Sequence, residues 1–252
     1  MAKKENQARS ILVMKPSVPS RLFDAVLVPR HDKMKMRSHV FVTDKALSLV
    51  SEERMSQEAE NLSREFKIAG DLKTIGLLVG GDAGSFKFSQ DVLEKILADI
   101  RQVSLETGAS VLATSSRRSP LWVDELLKKT WLHHKACPLL VIANESNRPG
   151  VVDGILGLSD VIVVSGESIS MVSEAATSGK PVIVFMPNEG SNLKPKLRNF
   201  LEGLNRSRQI SLVTSEFFYQ SLKTYLGSVN GDGSTGLCSD RDVLRQAVRR
   251  VV

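Results

Sequence analysis

Short aliphatic and β-branched runs recur along this chain, with stretches of helical periodicity between them. The plainest is 161–164 (VIVV), which has the character of a buried strand and is broken at once by Ser165 and Gly166. Runs at 75–79, 110–114, 139–143, 182–185 and 210–213 also read as strands. Between them lie helical segments at 89–107 (apolar Val92, Ile96, Ile100, Val103), 121–131, 149–158, 170–178 and 194–204 (Leu197, Phe200, Leu201, Leu204). Strands alternating with helices in this way predict an α/β fold on a doubly wound parallel sheet, whose ligands bind in the crevice at the carboxyl ends of the strands.

The front of the chain is patterned differently. Residues 1–10 are polar; 11–14, 25–28 and 40–43 are short strand candidates, separated by a loop with Pro16 and Pro19 and by the turn Pro29-Arg30-His31-Asp32. Residues 44–70 read as mainly helical, with Ser51 as a cap before Glu52 and Glu53. At the end, 239–252 predicts a docked helix with a Ser239…Asp242 cap, an apolar face of Val243, Leu244, Ala247, Val248 and Val251, and a solvated stripe of Arg241, Arg245 and Arg249. The expected organisation is 1–43, a helical linker over 44–72, the main domain over 73–226, and a loop and helix over 227–252.

Composition narrows the class. Over 252 residues, 42% hydrophobic and 25% charged content are ordinary for a globular protein, and no apolar run approaches the ~18 residues of a membrane span. The basic start lacks the apolar core of a signal peptide, and two cysteines, Cys137 and Cys238, form neither a metal spacing nor a disulfide framework, so a cytoplasmic location is expected. A net charge of +6 and a pI near 9.4 suit an anionic partner. With basic residues scattered among acids and aromatics at 5%, nucleic acid is not the expected one.

Candidate chemistry falls on three turns after predicted strands. In Gly80-Gly81-Asp82-Ala83-Gly84-Ser85, paired glycines let backbone approach a ligand and exposed amides bind phosphate; a tight turn without ligand is the open alternative, since neither a dinucleotide fingerprint nor a P-loop is present. In TSSRRSP (114–120), Ser116, Arg117 and Arg118 beside a helix start suit a phosphate or carboxylate, against a surface loop that merely caps the helix. In the third turn Ser168 or Ser170 caps a helix that carries Met171 and Glu174. Glu174 could accept hydrogen bonds from vicinal sugar hydroxyls, or serve the helix dipole or a salt bridge. His31 and Asp32 are weak catalytic candidates, as an acid–base pair or as a structural turn. His133, His134 and Cys137 lack a further metal ligand at a sensible spacing, and Ser170 lacks a nucleophile elbow. The chemistry expected is binding and positioning.

Four segments, FDAVLVPRHD (23–32), GLLVGGDAGSFKF (76–88), GASVLATSSRRSP (108–120) and SDVIVVSGESISMVSEAATSGKPVIVF (159–185), resemble the mitochondrial-fission Elm (elongated mitochondria) family and its bacterial relatives, regarded as glycosyltransferases of the GT-B fold. The resemblance covers about residues 20–225. It implies that 73–226 is a GT-B-type C-terminal Rossmann-like domain that binds the donor, that 1–43 is a remnant of the N-terminal Rossmann-like domain, and that transfer is metal-independent. It further implies that Gly80 and Gly81 lie near the donor phosphates or the cleft, that Ser116, Arg117 and Arg118 supply anion contacts, that Ser168, Ser170 and Met171 approach the phosphates, and that Glu174 holds the ribose. The implied partners are a nucleotide-sugar, as donor substrate with no cofactor, and a glycan or lipid acceptor. The short front end implies a fragment or a second subunit completing the cleft; the basic excess also suits peripheral contact with the inner face of an anionic membrane. A non-catalytic interaction scaffold that keeps the fold is the alternative. Glu167 and Glu174 have six residues between them, where many retaining GT-B enzymes have seven between paired glutamates, so Glu167 receives no sugar-contacting role.

Overall fold

Strand runs without polar alternation need cover on both faces, and the chain supplies it in order. The computed structural model describes residues 8–68, 70–82, 86–146, 148–189, 193–228 and 239–251. Strands β1 (Ile11–Val13), β2 (Ala25–Pro29) and β3 (Val40–Thr43) form a small parallel sheet in that order. After α1 (Glu52–Phe66) come β4 (Thr74–Leu78), α2 (Gln90–Thr107), β5 (Ser110–Thr114), α3 (Leu121–Trp131), β6 (Leu139–Val141) and α4 (Val151–Leu158). Then follow β7 (Val161–Ser165), α5 (Ile169–Thr177), β8 (Val182–Phe185), α6 (Pro195–Arg206), β9 (Ser211–Val213), α7 (Phe218–Ser228) and α8 (Ser239–Val251).

The large sheet is all parallel, in the order β6-β5-β4-β7-β8-β9. Its winding reverses between β4 and β7, which places the ligand crevice of a doubly wound fold at the carboxyl ends of those two strands. Ile75, Leu77, Val163 and Phe185 face a layer made by α2, α3 and α7. Leu78, Ile162, Val164 and Val184 face α1, α4, α5 and α6. Each such side chain is fully buried and contributes about 1.5–3 kcal/mol relative to exposure, so continuous apolar runs, without alternation, are what this sheet requires.

Three findings depart from the sequence pattern. Residues 44–50 are irregular where helix was expected; helix begins at Glu52, after Ser51, whose hydroxyl accepts the Arg54 amide at 3.2 Å as a cap should. Helix α7 was not anticipated, although Phe218, Leu222 and Leu226 recur every fourth residue; all three are buried, and Phe218 meets Phe185 edge-on at 6.3 Å. On α8, Ala247 and Val251 pack on Ala25 and Leu27 of the small sheet with Val243 beside them, while Leu244 and Val248 stay exposed. A three-stranded sheet is too narrow to cover the whole apolar stripe. The expected cap at Ser239 falls on a side chain outside the described residues, as do Ala83, Gly84, Ser85 and Cys238.

Candidate functional site

Strands β5, β4 and β7 lie side by side and end level, with Leu78 of β4 paired to Thr114 and to Val164. Hydrogen bonds join the turns that follow them into one unit. The Ser165 hydroxyl accepts the Gly80 amide at 2.7 Å, and Glu167 Oε1 accepts the Gly81 amide at 3.1 Å. The Ser119 hydroxyl donates to the Gly80 carbonyl at 2.6 Å and accepts the Ser116 amide at 3.0 Å. Ser116 Oγ accepts the Arg118 amide at 3.2 Å, and Arg118 Nη2 donates to Ser168 Oγ at 3.2 Å.

This network places the sequence candidates unequally. Gly80 and Gly81 stand at the crevice, but their amides turn inward to protein acceptors. A Cβ on Gly80 would lie 1.7 Å from Glu167 Oε1, and one on Gly81 would lie 2.1 Å from the Arg118 carbonyl oxygen. Close approach of protein to protein is therefore what requires these glycines. Arg117, Arg118 and Ser170 are exposed, and Ser116 is half-buried. Ser168 occupies the N-cap position of α5 without making a side-chain cap bond, its hydroxyl being held by Arg118, so that side chain leaves the first amides of α5 open. Met171 packs partly into the core.

Glu174 is half-buried, and no hydrogen bond or ion pair falls to it among the described residues. Arg54 of α1 binds the neighbouring Asp153 at 2.8 Å instead. Burial, then the Asp153 charge, raises the Glu174 carboxyl above its ordinary range. The salt-bridge role open to Glu174 in the sequence is thus taken by another residue.

His31 and Asp32 do not join this group. His31 is buried edge-on against Phe200 of α6 at 5.0 Å, and Asp32 pairs with Lys196 of the same helix at 2.5 Å. Burial lowers the imidazole pKa against the opposing pull of Asp32, and Lys196 lowers it further. The pair sits at the junction of the small sheet and α6, beside a cleft of about 530 Å³. Of the two readings open for this pair, the structural turn is the one that agrees with the ion pair Asp32 forms with a lysine of another element. Cys137 is buried, which pushes its thiol up to about 12, and no cluster of three metal-ligating side chains occurs among the described residues.

The sequence places the glycine, the glutamate and the three serines of the 165–170 turn facing a ligand; in the structure Ser165 and Glu167 are instead buried and, with Ser119, lock the turns together. For the serines the signal available for that locking role was a hydroxyl residue bordering a breaker, before Pro120 and before Gly166. For Glu167 it was an acid between a strand end and a helix start.

The sequence profile of the family described as Mitochondrial fission ELM1 matches residues 1–225. The chain is 24% identical over 232 residues to the uncharacterised protein RP120 of Rickettsia prowazekii (strain Madrid E), covering 81% of this chain and 64% of that protein. It is 27% identical over 184 residues to the mitochondrial fission protein ELM1 of Arabidopsis thaliana, covering 64% of this chain and 42% of that protein. The match thus spans less than two thirds of either relative's length. Among solved structures, a candidate UDP-N-acetylglucosamine 2-epimerase from Listeria monocytogenes superposes with a TM-score of 0.51 at 13% identity, over 86% of this chain and 50% of that one. The S. aureus MnaA–UDP structure gives a TM-score of 0.50 at 16% identity, over 92% and 61%. The likeness shows the fold alone, an α/β arrangement of parallel Rossmann-like sheets. No helix among the described residues is long and apolar enough to cross a membrane.

Proposed function

The chain belongs to the mitochondrial fission ELM1 family, and on that premise we propose that the crevice between β4 and β7 binds a nucleotide-sugar whose sugar passes to a glycan or lipid acceptor. One observation carries this reading: Arg118 is hydrogen-bonded to Ser168 at the open start of α5, so a guanidinium and helix amides converge on one point. Such a point suits a diphosphate, through charge-assisted hydrogen bonds and the positive end of the helix dipole. Glu174, on the same helix and without a hydrogen-bond or ion-pair partner among the described residues, is the acceptor for ribose hydroxyls. As the bond between sugar and diphosphate breaks, Arg118 and the α5 amides stabilise the charge left on the departing nucleotide.

The test is calorimetry with UDP-, GDP-, ADP- and CMP-sugars. One of them is expected to bind, with Arg118→Ala weakening it by roughly ten- to a hundredfold, as loss of a charged hydrogen bond of about 1.5–3 kcal/mol implies. Glu174→Ala is expected to weaken it as well. Absence of binding across the panel, or affinities unchanged in both variants, removes the assignment.

The engagement of His31 by Phe200 and Asp32 by Lys196 favours a second reading, a non-catalytic interaction protein that binds the nucleotide-sugar and keeps the fold as a scaffold. Binding without transfer to any supplied glycan or lipid acceptor, together with recovery of a protein partner, selects it. Peripheral contact of a cytoplasmic protein with an anionic membrane face, through the exposed Arg241, Arg245 and Arg249 of α8, belongs with either reading and is checked by liposome sedimentation.

A further inference from the structure

Glu167 has no part in the reaction outlined above, yet it lies at the centre of the three turns. It is 5% exposed; one carboxyl oxygen accepts the Gly81 amide, and the other, Oε2, is buried with no hydrogen-bond partner among the described residues. A carboxyl of a few per cent exposure with one oxygen left unpaired is costly as an anion. It directly precedes Ser168, at the open start of α5, and Arg118 is the charged group that acts on it. Among the described residues, the other elements around it bring no unpaired charge. The β7 end offers the Ser165 hydroxyl, the β8 side packs Met186 and Val184 at Gly166, and Asp82 of the β4 turn is paired with Lys87 at 2.6 Å.

We propose that Glu167 is a positioning residue whose protonation is coupled to diphosphate binding: the ligand's charge and Glu167's charge compete for Arg118 and the α5 N-terminus, so binding draws a proton onto Glu167. The inference rests on the donor reading above. Its physical basis is linkage. An anion seated beside Glu167 disfavours the carboxylate, and any group whose pKa rises on binding takes up protons near that pKa. Burial already pushes this carboxyl up to about 7, against the lowering effects of its own amide, Ser165, Gly81 and Arg118. The exchange therefore falls in the neutral range.

The experiment uses the wild-type chain and Glu167→Gln, which keeps the acceptor to Gly81 and cannot ionise. Binding of UDP-, GDP- and ADP-sugars is measured by calorimetry from pH 5.5 to 8.5, in pairs of buffers of different ionisation enthalpy. These probes are diphosphate diesters, so their own charge is constant across the window. If the ligand raises the Glu167 pKa by one unit, wild-type affinity falls about sevenfold from pH 6 to 8.5, with roughly half a proton taken up at pH 7.5. Glu167→Gln shows neither the slope nor the uptake, and binds more tightly than wild type at pH 8.5. The proton count on the wild type needs no variant, so a poorly folding Glu167→Gln leaves the test intact. Binding without proton uptake, or uptake retained in Glu167→Gln, overturns this inference and leaves the donor reading standing. Failure of every nucleotide-sugar to bind the wild type at any pH overturns both.

Discussion

At the scale of single residues, the crevice shows how one buried acid sets the conformation around it. Gly81 and Glu167 stand 86 positions apart, and their hydrogen bond holds the β4 turn to the β7 turn. The cost appears as pH dependence of stability. In the unfolded chain this carboxyl ionises near 4.5, and in the folded protein near 7. Between those values the native state holds the extra proton, so stability declines as pH rises through the window and the loss is complete above about 7. At 1.36 kcal/mol per unit the loss amounts to about 3 kcal/mol. Urea denaturation from pH 5 to 8 is expected to show that decline in the wild type and its absence in Glu167→Gln; parallel pH profiles for the two would contradict the burial of Glu167.

At the scale of elements, the same apolar residue types carry different weight according to what they face. Phe218 of α7 is fully buried against Phe185, whereas Leu244 of α8 looks out to solvent. Phe218→Ala is expected to destabilise by about 3–5 kcal/mol, since it opens a cavity under the sheet. Leu244→Ala is expected to stay within about 0.5 kcal/mol. Equal losses in denaturant midpoint would show that the two helices are docked alike. The sequence pattern marked both faces as apolar or left them unassigned, because periodicity reports amphipathicity and not the width of the surface waiting to receive it. Helix α1 makes the same point. It lies directly on α4, where a Cβ on Gly157 would come 2.4 Å from the Met55 carbonyl oxygen and one on Gly154 would come 2.4 Å from Leu62 Cδ1. Read alone, those glycines are weak points in a helix; in the fold they permit contact between helices.

At the scale of the whole molecule, the two sheets are tied together by a few polar contacts that involve residues far apart in the chain. Asp240, in the first turn of α8, accepts the amides of Asp44 and Lys45 at 2.7 and 3.1 Å and pairs with the Lys45 ammonium at 3.3 Å. Lys45 also reaches Gln209, and the Ala46 amide reaches Ser173 of α5. Segment 44–50, expected as helix, is irregular, and at its start the amides of Asp44, Lys45 and Ala46 are committed to these partners. Asp240→Ala is expected to cost about 1 kcal/mol, the lower end of the range for leaving donors without an acceptor, because these amides are only part-buried. Hydrogen exchange should then show lost protection over α8 and residues 40–46 with β4, β5 and β7 unaffected. Uniform loss across both sheets would indicate that α8 is not a separable lock.

What the sequence alone determined was set by near neighbours: the aliphatic runs that make strands, the helical periodicity between them, the breakers that end them, and thus the order of elements and the three turns that meet in the crevice. The motifs in those turns also carried the family. Tertiary structure alone decided which polar groups in the turns remain available. It turned the Gly80 and Gly81 amides toward Ser165 and Glu167, drew Ser168 to Arg118 in place of capping, and gave His31 and Asp32 to α6. Each outcome depends on a partner tens of residues or more away, and a local pattern contains no term for it.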